Sequence, residues 1–267
     1  MARRSRDRLP RGSQLGKYRI VAPLGVGGFA RVYRAHDMVE GRDVALKVPH
    51  EHVLRDGLDE LLREVRITLK LDHPNILDIR NATFVGNQLV IAYPLGERSL
   101  HDRLKLRMAS KTAATIAAQL VDAIGYAHSQ RVIHCDISPH NVIVFQDNEV
   151  KLTDFGIAKV TARTKIIDGS GSGTVGYIAP EQAMGQPSFR SDVFSLGLLI
   201  YRMFSGQLPR WPFAWPPPGY DRVKRKLRPD AIKFLRRAIE VDERKRFRNG
   251  RHMKTAFDKS WKRALRA

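Results

Sequence analysis

From Lys17 onward, apolar and polar residues alternate with a period of two. The segments KYRIVAPLG (17–25), ARVYRAHD (30–37) and RDVALKV (42–48) predict three β-strands, the first two flanking a glycine-rich turn. The period then changes. LDELLREVRITLKL (58–71) repeats leucine at helical spacing and stops ahead of Pro74, because proline disfavours the α region for the residue before it. Two further apolar segments, around Ile76 to Phe84 and QLVIAY (88–93), complete an antiparallel sheet. Beyond residue 99 the pattern is helical: LHDRLKLRM, TAATIAAQLVDAIGYAHSQ (112–130), DVFSLGLLIYRMFSG (192–206) and two terminal helices. The elements predict an α+β chain. A small antiparallel sheet lobe with one helix (17–93) precedes a larger, mainly helical lobe (94–267), and a cleft between such lobes is a natural ligand site.

Composition changes this picture only at the ends. The formal charge of the 267 residues is +20, but residues 1–17 carry six Lys+Arg against one Asp, and residues 222–267 carry eighteen against five acids. Residues 18–221 carry twenty-three against twenty-one, so the body is nearly neutral. A basic flexible arm (1–16) and a basic helical tail therefore flank it, suited to an acidic protein or an anionic surface. Basic and aromatic residues are not interleaved in the arm as a base-stacking platform requires, and no specific nucleic-acid partner is expected. One cysteine excludes an internal disulfide framework and a multi-thiolate zinc site. Apolar stretches such as Val193 to Ile200 are far too short for a transmembrane segment, and a cytoplasmic location is the expectation.

Candidate chemistry lies in the neutral body. GVGGFARV (25–32) joins two predicted strands, so its glycines belong to a hairpin whose amides approach phosphate oxygens closely. VALK (44–47) places Lys47 on the third strand, and Glu64 on the following helix is its candidate partner. HCDISPHN (134–141) offers Asp136 and Asn141 on one loop; DFG (154–156) offers Asp154; GTVGYIAPE (173–181) and Asp192 follow. In their order and spacing these motifs resemble the protein kinase superfamily, specifically its Ser/Thr branch and bacterial members, from residue 17 to 260.

The resemblance implies the bilobal protein kinase fold and transfer of the γ-phosphate of ATP to Ser/Thr hydroxyls of a protein substrate. It implies that Leu24, Gly25, Val26, Gly27, Gly28, Phe29 and Lys47 hold ATP, with Glu64 orienting Lys47. Val32, Ala45, Ile91, Ala92, Tyr93, Pro94 and Ile143 would surround adenine. Asp154 and Asn141 would coordinate Mg²⁺, with Mn²⁺ as a substitute, and Asp136 would accept the hydroxyl proton. Glu181 is expected to pair with Arg246.

Four departures qualify it. Ala30 replaces the third loop glycine, a minor change. Cys135 stands where the family has an arginine that reads a phosphorylated activation segment, so activity independent of that reading is expected even if Thr161, Thr164, Ser170, Ser172 or Thr174 is modified. Ser138 replaces a lysine that contacts the transferred phosphate. Pro94 occupies a hinge position whose amide usually bonds adenine, and its missing donor would cost about 0.5–1.5 kcal/mol. Together these motivate a rival reading, a catalytically weak pseudokinase or ATP-binding regulatory module. Two readings also stand for the segment between Gly206 and Arg228, rich in proline with Trp211 and Trp215: a packed loop or a docking site. The stripe Met253, Phe257, Trp261 and Leu265 is either the packed face of a last helix or a face for a membrane surface or an acidic partner.

Overall fold

The period-two segments form a six-stranded antiparallel sheet, described here from a computed structural model that covers residues 9–155, 175–261 and 263–266. Its strands are β1 (Gln14–Leu15), β2 (Tyr18–Val26), β3 (Ala30–Asp37), β4 (Arg42–Pro49), β5 (Asn81–Val85) and β6 (Gln88–Pro94), in the order β1-β2-β3-β4-β6-β5. The chain divides into two compact units, Met1–Lys70 with Leu77–Gly96, and Leu71–Ile76 with Glu97–Ala267.

Alternation decides what each face of the first unit's sheet carries. Tyr18, Ile20, Tyr33, Ala35, Val44 and Leu46 are buried together on one face and form its core. The register Val32↔Lys47↔Ile91, with Ala45 opposite Tyr93, places Val32, Ala45, Lys47, Ile91 and Tyr93 on the other. At the β3–β4 turn, the buried Asp37 accepts N–H bonds from Val39 (3.0 Å) and Glu40 (3.1 Å) and pairs with Lys17 at 2.8 Å. Burial alone would raise this carboxyl, but Lys17 and the two amides hold it below the usual range.

Three expectations change in this unit. Helix α1 runs from Glu51 to Thr68, earlier than the leucine period at 58 suggested, because its first turns precede a break at Gly57 (φ −151°, ψ 29°). The stretch from Ile76 yields a strand only from Asn81; Ile76 itself belongs to the second unit, where it bridges Leu152. The arm expected to be flexible over 1–16 is attached from Leu9 onward: Leu9 N–H donates to the Tyr33 hydroxyl (3.2 Å) and Gly12 N–H to the Ile20 carbonyl (2.8 Å).

The second unit contains a small sheet of β7 (Arg98–Ser99), β8 (Val142–Val144) and β9 (Val150–Leu152). Its helices are α2 (Leu100–Arg103), α3 (Ser110–Ser129), α4 (Pro180–Ala183), α5 (Phe189–Ser205), α6 (Tyr220–Lys226), α7 (Pro229–Ala238) and α8 (Gly250–Trp261). α2 is a single turn, shorter than LHDRLKLRM suggested. Residues Ser191 to Tyr201 of α5 are buried on every face, so its apolar run is the core of this unit. No described helix is long and apolar enough to cross a membrane. A Ser188/Ser191 capping box starts α5, and Gly206 in the left-handed region (φ +73°) ends it.

Of the two open sequence readings near the C-terminal end, the apolar stripe packs and the proline-rich segment divides. Met253, Phe257 and Trp261 are buried on α8, which stops at Trp261, and Leu265 continues as a bridge to Leu227. At Gly250 a side-chain carbon would come within 2.5 Å of the Ile124 carbonyl oxygen, so only glycine lets α8 seat on α3. In the proline-rich loop Trp215 is partly buried and packs edge-on against Tyr220 (5.3 Å), whereas Trp211 is 67% exposed.

Candidate active site

In the first unit, the glycine turn is closed by the Gly27 N–H to the Ala30 carbonyl (2.9 Å) and braced by His50, whose Nε2 lies 2.9 Å from the Gly27 carbonyl. A side chain added at Gly25 or Gly28 would meet nothing within 4 Å, and at Gly27 only the Ala30 carbonyl oxygen at 3.7 Å. None of the three has a positive φ. Neither packing nor backbone conformation therefore requires glycine here. Leu24 (52%) and Val26 (65%) are exposed apolar residues on the same turn, and Phe29 is partly buried.

Lys47 and Glu64 are both buried, with Nζ 3.9 Å from Oε1, so β4 and α1 bring this pair together at the outer limit of an ion pair. Ala92 and Pro94 have the opposite parity from Ile91 and Tyr93: Ala92 faces the core, opposite Leu46, and Pro94 lies opposite Val44. The Ala92 carbonyl accepts the Arg80 N–H at 2.9 Å. Sheet pairing therefore runs through Pro94.

In the second unit, Asn141 Nδ2 donates to Asp136 Oδ2 (3.0 Å) and to the Asp136 carbonyl (2.8 Å). The Thr153 N–H donates to the Asn141 carbonyl (2.9 Å), which ties the residue preceding Asp154 to the same loop. Ile143 points away from its buried neighbours Val142 and Val144. Asp154 and Cys135 take left-handed backbone conformations (φ 65° and 62°), a strain that persists only where neighbours fix it. Cys135 is fixed at both backbone groups: its N–H donates to Asp192 Oδ1 (2.8 Å) and its carbonyl accepts Gln182 Nε2 (2.5 Å).

Asp192 is the anchor of this loop. It also accepts the His134 N–H (2.7 Å), and its Oδ2 lies 2.9 Å from His128 Nε2. His128 Nδ1 takes the Gly250 N–H (2.7 Å), so Nε2 carries the ring proton and donates to Asp192. His134 repeats the pattern: Nδ1 accepts the Asp136 N–H (3.2 Å), leaving Nε2–H for the Thr153 carbonyl (2.9 Å). Its ring packs on Phe155 at 4.6 Å. Ser138 is fully buried, and its Oγ has no hydrogen-bond partner among the described residues.

The expected Glu181–Arg246 pair is present and bidentate, at 2.8 and 3.0 Å. Arg246 also donates to the carbonyls of Arg190, Glu240 and Val241. Burial would raise Glu181, but Arg246 and the Ser191 hydroxyl outweigh it and hold the carboxyl below its usual range. Thr161, Thr164, Ser170, Ser172 and Thr174, and Gly156 of DFG, lie outside the described residues.

The protein kinase domain family model matches residues 18–261. The chain belongs to the protein kinase family. This kinase-family chain is 34% identical over 204 residues to the serine/threonine-protein kinase PrkC of Bacillus subtilis, covering 73% of the chain and 31% of PrkC. It is also 34% identical over 206 residues to the DNA damage-responsive serine/threonine-protein kinase RqkA of Deinococcus radiodurans, covering 73% and 30%. The kinase-family match thus spans about a third of the length of these relatives. Among solved structures, the Mycobacterium tuberculosis PknI kinase domain matches with a TM-score of 0.70 and 25% identity, covering 95% of the chain and 100% of that domain. The α+β protein kinase fold expected from the sequence is therefore the fold of this chain.

Sequence reasoning left several residues of the site without a role. Asp192 and His134 stood inside recognised motifs with no function attached, while His128 and Gln182 carried no signal. His128 and Asp192 meet across 64 positions, a separation no periodicity reports.

Proposed function

We propose that the chain is a Ser/Thr protein kinase that transfers the γ-phosphate of MgATP to a protein hydroxyl. The observation that carries this reading is the Asp136–Asn141 contact on a loop whose backbone is held by Asp192. Asp136 would accept the proton of the attacking hydroxyl, while its bond to Asn141 keeps the carboxylate oriented. Lys47 would pair with ATP phosphates and Glu64 would aim it; the glycine turn 25–28 would bring backbone amides to the same phosphates. Val32, Ala45 and Ile143 would give adenine apolar contacts, replacing part of what Pro94 cannot donate.

Among the described residues no group of three or more His, Cys, Asp or Glu could hold a metal alone. Asn141 and Asp154 are two hard oxygen donors, the number that suits Mg²⁺ when phosphates fill the rest of its shell. Bound Mg²⁺ would supply positive charge against the phosphates. Cys135 contributes its backbone to the Asp192 anchor, which supports activity that does not rest on an arginine reading a phosphorylated segment.

Ser138 supports the rival reading of a weak or regulatory ATP-binding module. Its buried hydroxyl supplies no cation where a lysine was expected. Incubation with labelled ATP, Mg²⁺ and a mixed Ser/Thr protein substrate, beside an Asp136→Ala variant, separates the two. Transfer by the parent and loss in the variant supports the kinase; ATP binding without transfer in either supports the module.

A further inference from the structure

The peptide group that joins Cys135 to Asp136 leads directly into the carboxylate proposed as proton acceptor, and it is held at both ends. Its carbonyl accepts Gln182 Nε2 at 2.5 Å, and its N–H donates to His134 Nδ1 at 3.2 Å. The amide before it, the N–H of Cys135, donates to Asp192 Oδ1 at 2.8 Å. A planar peptide can turn only about the bonds that flank it, and turning this one breaks a contact at its carbonyl or its N–H. Its plane therefore sets the direction in which the Asp136 side chain leaves the backbone.

Cys135 gives that plane a reason to turn. Its φ of 62° lies in the left-handed region, unfavourable for a residue with a β-carbon. Gln182 reaches the carbonyl from 47 positions away and opposes the turn. Its carboxamide can face Cys135 only through the nitrogen, because an oxygen at that distance would repel the carbonyl oxygen. Gln182 Oε1 is buried with no hydrogen-bond partner among the described residues. An apolar side chain would avoid that cost, so what suits glutamine to this position is its donor.

The helical turn that carries Gln182 is itself anchored. On α4 the preceding residue, Glu181, is bonded to Arg246 (2.8 and 3.0 Å) and to the Ser191 hydroxyl of α5 (2.7 Å). Just ahead of α4, the Tyr177 carbonyl accepts the Ser195 hydroxyl at 2.7 Å. Consecutive residues of one turn thereby join the helical core to the Asp136 loop.

We infer that Gln182 is a positioning residue: by holding the Cys135 carbonyl it fixes the plane of the Cys135–Asp136 peptide and so aims the Asp136 carboxylate at the acceptor hydroxyl. The inference rests on the phosphotransfer reading above for what Asp136 does.

Cysteine occurs once in the chain, so carbonyl-¹³C-labelled cysteine marks this one carbonyl in the full chain. Its resonance should move in Gln182→Leu, and the Asp136 N–H should exchange faster with solvent. In the same variant kcat should fall about tenfold or more while KM for ATP stays within about twofold, since no residue assigned to ATP is altered. Gln182→Met, equally long and without a donor, should behave alike and covers the case in which the leucine variant fails to fold. Adding Cys135→Gly to either should restore much of kcat, because glycine takes a positive φ without steric cost. A carbonyl resonance unmoved in both variants, a kcat equal to the parent's or lowered only in proportion to the folded fraction, or a double variant no better than the single one overturns the inference. A parent that transfers no phosphate removes the phosphotransfer reading instead. The carbonyl resonance and Asp136 exchange then decide on Gln182: movement of both supports its hold on the peptide, and no movement overturns it.

Discussion

The two units hold their functional side chains by different means. In the first, the period of two suffices: a residue's parity along β3, β4 and β6 decides whether it joins the core with Tyr33 and Leu46 or stands on the face with Lys47 and Val32. In the second, Asp136 and Asn141 lie on irregular backbone, positioned by hydrogen bonds to residues far away in sequence, Asp192 above all. The sheet tolerates change at a site position because the ladder holds the backbone. The loop has no such reserve.

If this contrast holds, the largest losses of stability belong to the second unit. Glu181→Ala would leave the fully buried Arg246 guanidinium without its carboxylate, a loss of about 3–5 kcal/mol, to be measured by urea denaturation. Asp192→Ala strips the acceptor from two backbone amides and from His128, and about 3 kcal/mol should go with it. In both, a midpoint near that of the parent would mean that the loop is held by something else.

Lys47→Met sharpens the other side of the comparison. Transfer should fall by about a hundredfold or more, with a loss of stability smaller than in the two variants above, because the 3.9 Å pair with Glu64 is looser than the bidentate Glu181–Arg246 pair. Concurrent unfolding would show that Lys47 holds the fold together. Gly28→Ala should be smaller still: stability within about 0.5 kcal/mol of the parent, since the methyl meets nothing, with nucleotide affinity reduced. Full retention of affinity would remove the ligand-approach explanation for the turn.

The smallest expected effect is on the pH dependence of stability. Glu181 and Asp37 lie below their ordinary range when folded, so their contribution is present above the unfolded pKa and is lost as pH falls. His101 and His140 are also lowered, chiefly by burial, so below about pH 6.5 the unfolded chain takes up protons that the folded chain refuses. Both effects point the same way. The denaturation midpoint should fall from about pH 7 to about pH 5 through the imidazoles and further below about pH 4 through the carboxylates, and His101→Phe should flatten the first part of that fall. A midpoint that rises on acidification would reverse these assignments.

The same contrast explains what the sequence made legible. Strand β3 and helix α5 came within a few residues of their bounds because burial follows a short period in each. α1 was read late because Gly57 interrupts the leucine period that signals it. The motifs, through the family resemblance they carry, named Lys47, Glu64, Asp136, Asn141 and Asp154 as candidates. They did not reveal that Gln182 and Asp192 converge on the backbone of Cys135 and His134, with His128 bonded to Asp192 behind them, since those bonds close loops of dozens of residues. Charge told less than pattern: the tail's basic residues surround a stripe of which Met253, Phe257 and Trp261 are buried core.

Arg246 has a consequence for the order in which the chain becomes competent. It reaches Glu181 and the Arg190 carbonyl from one side and the Glu240 and Val241 carbonyls from the other. During synthesis the segment ending at Glu181 emerges well before the residue that clasps it. Until Arg246 has left the ribosome, Glu181 lacks its cation and Ser191 is its one described side-chain partner. A nascent chain cut short of Arg246 would lack the donor that joins Glu181 and the Arg190 carbonyl to the Glu240 and Val241 carbonyls.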